Sequence, residues 1–161
     1  MTVLAKMFFQ SLWYRNISDE PESKTVDWDD ALPSSLLSEW NSVFNELYAA
    51  NTISIPRWIF HKPEFYVEVH GFGDALSKAI AATVYLRIIT ADQVKSNLLV
   101  AKTKLAPVKT VSIARLELCA AVLLTKLTHH IVKTLPLEHC SIYLWSDSKD
   151  ALAWIVSLPH L

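Results

Sequence analysis

Apolar residues recur along this chain with two different periods, and the change from one to the other divides it. Within residues 2–13, Val3, Leu4, Met7, Phe8 and Leu12 fall at helical spacing. The stretch NISDEPESKTVDWDDALP is polar and charged and contains two prolines, so it predicts a loop with one aromatic anchor, Trp28. A second helix is predicted from Ser34 or Ser35, either of which can cap it. Leu36, Leu37, Trp40, Val43, Phe44 and Leu47 form its apolar face, and Asn51 is its stop. ISIPRWIF then reads as an extended linker, because Ile55 precedes Pro56 and is biased away from helix.

From about Lys62 the period becomes two. In EFYVEVHGFGDA, Phe65, Val67 and Val69 share one face, while Tyr66, Glu68, His70, Phe72 and Asp74 share the other. AIAATVYLRII predicts a second strand rich in β-branched residues, and SNLLVAKTKLAP a third that ends at Pro107. Their short spacing favours an antiparallel meander. VSIARLELCAAVLLTKLTHHIVKTL returns to helical spacing, with Ser112 as cap and Leu116, Cys119, Ala120, Leu123 and Leu127 as the apolar stripe. HCSIYLWSD predicts a fourth strand after Pro136, and KDALAWIVSL opens a further helix. A strand reached through a helix lies parallel to a neighbour. The expected architecture is a mixed α+β fold, a helical segment over residues 1–60 followed by a mixed sheet with flanking helices over residues 61–161.

Composition narrows the function classes. Of 161 residues, 52% are hydrophobic, enough for a real core. The formal net charge is -1, so the excess of Lys and Arg that phosphate contacts demand is absent, and nucleic-acid binding by this chain alone should be weak. Cys119 and Cys140 form no CxxC pair and no disulfide framework, which points to a reducing, intracellular setting. The N-terminal stretch carries no basic leader or small-residue cleavage site, and no apolar run is long enough to span a bilayer. A cytoplasmic or nuclear protein without a membrane partner is therefore expected.

Three acids stand where an acid is unexpected. Asp74 ends an apolar strand, just after the chain's only glycines, Gly71 and Gly73. Glycine inside a strand marks a bulge or a close backbone approach. Glu117 lies within the apolar helical turn RLELCAA, and Asp147 directly follows IYLWS. A charge near a core is costly unless it is paired or holds a metal. Each acid has an ordinary alternative: Asp74 as a turn residue, Glu117 paired with Arg115 or Lys126, Asp147 as the cap of the last helix. Taken together, from a strand, a helix and a strand end, they suit a hard cation such as magnesium, which prefers carboxylate oxygen.

The blocks GFGDALSKA, ARLELCAA and LWSDSKDALAWI resemble, in combination and order, those of the ribonuclease H domain in BEL/Pao-type retrotransposon Pol polyproteins. AKMFFQSLW, VDWDDALP, the Trp40 helix and IPRW resemble the connection that joins reverse transcriptase to ribonuclease H there, so the resemblance covers nearly the whole chain. It implies a ribonuclease H-like fold, C-terminally truncated, with the fourth acidic ligand, last strand and closing helix beyond Leu161. It also implies that Asp74, Glu117 and Asp147 are catalytic and metal-binding, with Mg2+ or Mn2+ as cofactor and an RNA–DNA hybrid as substrate. The upstream reverse transcriptase would be a partner in the same polyprotein. The implied reaction is hydrolysis of the RNA strand, weak or absent in this chain. The alternative is a co-opted, non-catalytic binding or structural module. Departures from the family pattern are Gly73 for a usual Cys, Leu76 for a Ser, Ile80-Ala81 for an aromatic-Gly pair and Ala114 for a Pro. The region is often labelled a Pao retrotransposon peptidase, but no Asp-Ser-Gly or Asp-Thr-Gly loop is present to support aspartic peptidase activity.

Other residues invite chemistry less strongly. His129, His130, His139 and Cys140 lack the spacing of a zinc site, since adjacent histidines on a helix diverge. His70 shares the face of Asp74, but a packed or exposed histidine is the commoner meaning. Trp13, Trp28, Trp40 and Trp58 suit packing and docking better than base stacking. Lys102, Lys104 and Lys109 suit a solvated strand edge.

Overall fold

The computed structural model describes residues 2–17, 27, 29–56, 58, 59, 62, 64–137 and 140–157. Trp28, most of the predicted polar loop and His139 lie outside these. The elements are α1 (Thr2–Ile17), α2 (Ser34–Ala49), a 3-10 turn (Ala50–Thr52), β1 (Tyr66–Leu76), β2 (Ala79–Ile89), β3 (Val94–Leu105), α3 (Ile113–Thr134), β4 (Ser141–Trp145) and α4 (Lys149–Val156). They form two compact units, Met1–Ile55 and Pro56–Leu161.

In the first unit α1 packs against α2 through aromatic rings. Phe8 and Phe9 lie 5.4 and 5.5 Å from Trp40, and Phe44, on α2 itself, lies 6.5 Å from it. Phe8 and Leu36 are the buried anchors, while Leu37 and Phe44 remain largely exposed. Pro33, not Ser34 or Ser35, occupies the N-cap of α2, and no side chain caps it. Its fixed φ suits the entry, and its carbonyl accepts the first helical bond from the Leu37 N–H. Asn51 falls inside the 3-10 turn that tightens the helix end.

The second unit is a four-stranded mixed sheet in the order β3-β2-β1-β4. β1–β2 and β2–β3 are antiparallel, and β4 runs parallel to β1. β2 alternates buried and half-buried at every position, as its β-branched pattern predicts. Val67, Val69, Val84, Leu86 and Ile88 turn toward α3 and meet Leu116, Ala120, Leu123 and Leu124. Each such side chain contributes roughly 1.5–3 kcal/mol of burial. Cys119, read as part of the helical stripe, is exposed instead; Glu117 is on the buried side. Ser112 stands at the N-cap of α3 with extended backbone, but its side chain makes no cap hydrogen bond.

The two glycines of β1 have a packing role. The β1–β2 register is continuous through both, so neither marks a bulge; the one irregularity in the sheet lies between Val84 and Tyr85 in the β2–β3 pairing. A Cβ on Gly71 would stand 2.6 Å from Leu124 Cδ1, and one on Gly73 would stand 3.3 Å from the Ala120 carbonyl oxygen. They are glycines because α3 lies directly on the strand. No described helix is long and apolar enough to cross a membrane.

Candidate metal centre

Parallel strands end at the same edge of a sheet, and here that edge is acidic. β1 and β4 pair in the register Phe72 to Trp145, so Asp74 and Asp147, two positions further along each, stand side by side. Close packing over Gly71 and Gly73 brings the first turns of α3 down to the same edge, which delivers Glu117. One carboxylate oxygen from each of Asp74, Glu117 and Asp147 lies within 4.8 Å of the others. Among the described residues this is the one group of three or more acidic, His or Cys side chains with that geometry.

The three are not equivalent. Asp74 and Asp147 are exposed, whereas Glu117 is 7% exposed and its Oε2 is buried without a hydrogen-bond partner. Burial, and then the charges of Asp74 and Asp147, push the Glu117 carboxyl above its ordinary pKa, while the Ala75 backbone N–H pulls it partly back. The same N–H donates to Asp74 Oδ1 at 2.7 Å. No ion pair neutralises any of the three among the described residues, whereas Glu68 is paired with His70 and Arg87. Glu117 is thus not paired with Arg115 or Lys126. Nor does Asp147 cap the last helix: Ser148 does, accepting from the Ala151 N–H at 3.2 Å. The Ser148 N–H in turn donates to Ser146 Oγ at 3.2 Å, which fixes the turn that carries Asp147.

A buried carboxyl with an unpartnered oxygen, grouped with two further carboxylates, is a donor set for a hard divalent cation. The residues present fit such an ion, because it would satisfy Glu117 Oε2 and offset three mutually repelling charges.

The remaining residues weighed for chemistry lie elsewhere. His129 and His130 are exposed on α3. Lys102, Lys104 and Lys109 are exposed as well. His70 is half-buried and bonded to Glu68, outside the acidic cluster. Two aromatic residues flank the site in a way the sequence reading missed for Trp145: Phe72 and Trp145 line one depression of about 380 Å³ with Gly73, Asp74, Ser146 and Asp147. The signal was the period-two spacing of Trp145 and Asp147, which a strand ending at Trp145 carries onto one face.

No curated protein and no solved structure matches the chain. The family model for the Pao retrotransposon-like RNaseH-like domain matches residues 1–148, a span that includes the first unit, the second as far as Ser148, and all three acids. The mixed sheet with its flanking helices is that of a ribonuclease H-like domain, and the chain belongs to the Pao retrotransposon RNaseH-like family.

Proposed function

We propose that Asp74, Glu117 and Asp147 hold Mg2+, or Mn2+, and that the chain is the ribonuclease H part of a retrotransposon Pol polyprotein. Residues 1–60 are its connection segment to reverse transcriptase, and the substrate is the RNA strand of an RNA–DNA hybrid. The observation that carries this reading is the buried Glu117 carboxyl, whose Oε2 has no hydrogen-bond partner and which is grouped with two other carboxylates.

Without a cation, three carboxylates repel a phosphodiester, so the chemistry needs positive charge at this edge. A bound divalent cation supplies it, as Lewis-acid stabilisation of charge building on phosphate oxygens. Asp74 and Asp147, exposed at the strand ends, face the approaching backbone. Glu117 holds the floor of the site, where its neighbours keep water away from Oε2. Ser148 and Ser146 keep the Asp147 turn in place. An A-form-like hybrid would be recognised by shape and 2′-hydroxyls, not by base sequence. The net charge of -1 supports weak substrate affinity by this chain acting alone.

The test is a hybrid-cleavage assay over a magnesium titration, alongside thermal melts. The expected result is slow RNA cleavage and a magnesium-dependent rise in Tm, both lost in Asp74→Asn. A cooperative melt indifferent to magnesium, with no cleavage, would favour a non-catalytic module with the same fold.

A further inference from the structure

The net charge of -1 is the balance of two unlike halves. The first unit, Met1–Ile55, carries three of the fifteen Lys and Arg and eight of the sixteen Asp and Glu, a formal charge of -5. The second, Pro56–Leu161, carries the other twelve basic residues and the other eight acids, a formal charge of +4. Three of those eight acids are the cluster of Asp74, Glu117 and Asp147, so the rest of this unit is more basic than its total.

The positive charge is concentrated beside the acids. Ala82 pairs with Gly73, whose open side meets Ala120, so buried Ala82 and Ile80 lie on the α3 side of the sheet. Lys102 and Lys104 are their partners in the β2–β3 register and share that side. α3 packs on β1 and β2, and both lysines are exposed. Thr103, between them, is in register with Ala81 and through it with Asp74, two strand spacings or about 10 Å away. Lys78, in the turn from β1 to β2, and Lys109 and Arg115, where β3 leads into α3, belong to the same end of the sheet; the Ala106 N–H donates to the Lys78 carbonyl across it. All five are exposed, and none is in an ion pair among the described residues. Of the other described acids in this unit, Glu64 and Asp92 stand at the opposite end of the sheet, Glu68 on its other face and Asp150 on α4. The flank is at β3, the edge remote from β4. Edge lysines also discourage strand pairing, but Lys78, Lys109 and Arg115 are not on the edge strand.

We infer that this flank meets the phosphate backbone of a duplex lying over the acids, and that the acidic first unit, tethered to it through the Ile55–Pro56 bond, restrains that contact. A polyanion approaching the second unit also approaches the negative excess of the first. Repulsion between exposed charges reaches about 30 Å at 0.01 M salt but only about 8 Å at 0.15 M, so the restraint is strongest at low salt. Weak affinity is then an effect of one half on the other, not the lack of a binding surface. The inference takes its substrate class from the nuclease reading proposed above, but not its cleavage step.

The test uses the full chain and a labelled RNA–DNA hybrid, with calcium replacing magnesium during binding and salt varied from about 20 to about 200 mM. Lys102→Ala/Lys104→Ala should weaken binding roughly tenfold at low salt and reduce the slope of log K against log salt by about 2. Lys102→Arg/Lys104→Arg, which keeps the charge, should bind as the wild type does. Lys126→Ala/Lys133→Ala removes the same charge further along α3 and should change affinity by less than about threefold. Asp29→Asn/Glu39→Gln/Glu46→Gln, three exposed acids of the first unit, should tighten binding about threefold or more at low salt, a gain that fades toward 200 mM. Equal losses from the two lysine-to-alanine pairs would overturn the flank as the binding surface. An acid-neutralised chain that binds no tighter at low salt would overturn the restraint. Cleavage in magnesium separates the two readings. Binding that follows these charges without any cleavage keeps the surface and removes the nuclease, whereas low-salt cleavage indifferent to every one of these variants does the reverse.

Discussion

Gly73 lies directly against Ala120: a Cβ on the glycine would stand 3.3 Å from the Ala120 carbonyl oxygen and 3.4 Å from its carbonyl carbon. These are helix backbone atoms, which cannot swing aside as a side-chain end can. Gly73→Ala must therefore lift α3, and Glu117 sits on that helix one turn earlier. The substitution should cost about 1–3 kcal/mol in urea melts, the usual scale of overpacking. It should also shrink the magnesium-induced rise in Tm. Gly71→Ala meets the side-chain ends of Leu124 at 2.6 Å and Leu144 at 2.9 Å instead. It should destabilise while disturbing the magnesium response less. A full magnesium response in Gly73→Ala would show that the spacing of strand and helix does not set the site.

Glu117 makes stability depend on pH with an unusual sign. Its folded carboxyl titrates above the ordinary 4.5, because burial and then Asp74 and Asp147 oppose its charge. Between 4.5 and that raised value the folded state binds more protons than the unfolded state, so stability falls as pH rises. In chelator, wild-type Tm should fall across this interval relative to Glu117→Gln, which lacks the titration. Saturating magnesium should remove the difference in slope for wild type, since the ion stabilises the charged form. Parallel Tm profiles for the two proteins in chelator would contradict the assignment.

Glu68 has the opposite sign. The hydrogen bond from His70, and then that from Arg87, hold its carboxyl below the ordinary 4.5. Its contribution is present above 4.5 and is lost as pH falls through the lowered folded value. Arg87→Ala should cost about 1 kcal/mol at neutral pH, at the modest end for a buried pair because the Arg87 side chain is 41% exposed. The deficit should narrow in acid, where Glu68 is protonated in both proteins. Paired denaturant melts at neutral and acid pH measure it, and a constant deficit would rule out the charge as its source.

Thr128 is a buried polar group without a partner. Its Oγ1 makes no hydrogen bond, and it packs over Gly71, where a Cβ would stand 3.3 Å away. Thr128→Val exchanges an unsatisfied hydroxyl for a methyl of similar size. The expected change is a gain of about 1 kcal/mol in a chemical melt, with the magnesium response unchanged. A loss of stability would mean that an ordered water satisfies this hydroxyl.

Much of the sheet was legible residue by residue. The run AIAATVYLRII coincides with β2, and the two faces read for β1 separate Val67 and Val69, which are buried, from Phe72 and Asp74, which are exposed. Period-two alternation is a local property, so it survives in any fold that covers one face of the strand. The helix caps were less legible. The serines read as caps of α2 stand just past its N-cap at Pro33, and Ser112 occupies the N-cap of α3 without making the cap bond, because cap bonding depends on the rotamer as well as the residue type. Cys119 failed for a related reason: an apolar stripe several residues wide does not say where its edge lies until the sheet beneath is known.

The chain's own sequence determined the order of strands and helices, the faces of β1 and β2, and the presence of three misplaced acids, because spacing and residue type are local. Only the tertiary structure decided that the acids meet. That took the parallel register of β1 and β4, which sets Asp74 beside Asp147, and the close seat of α3 over Gly71 and Gly73, which buries Glu117 against them. The hydrogen bond from Trp145 to His70 is likewise a contact between strands remote in sequence. Such contacts depend on pairing and packing between elements, and no periodicity within one element encodes them.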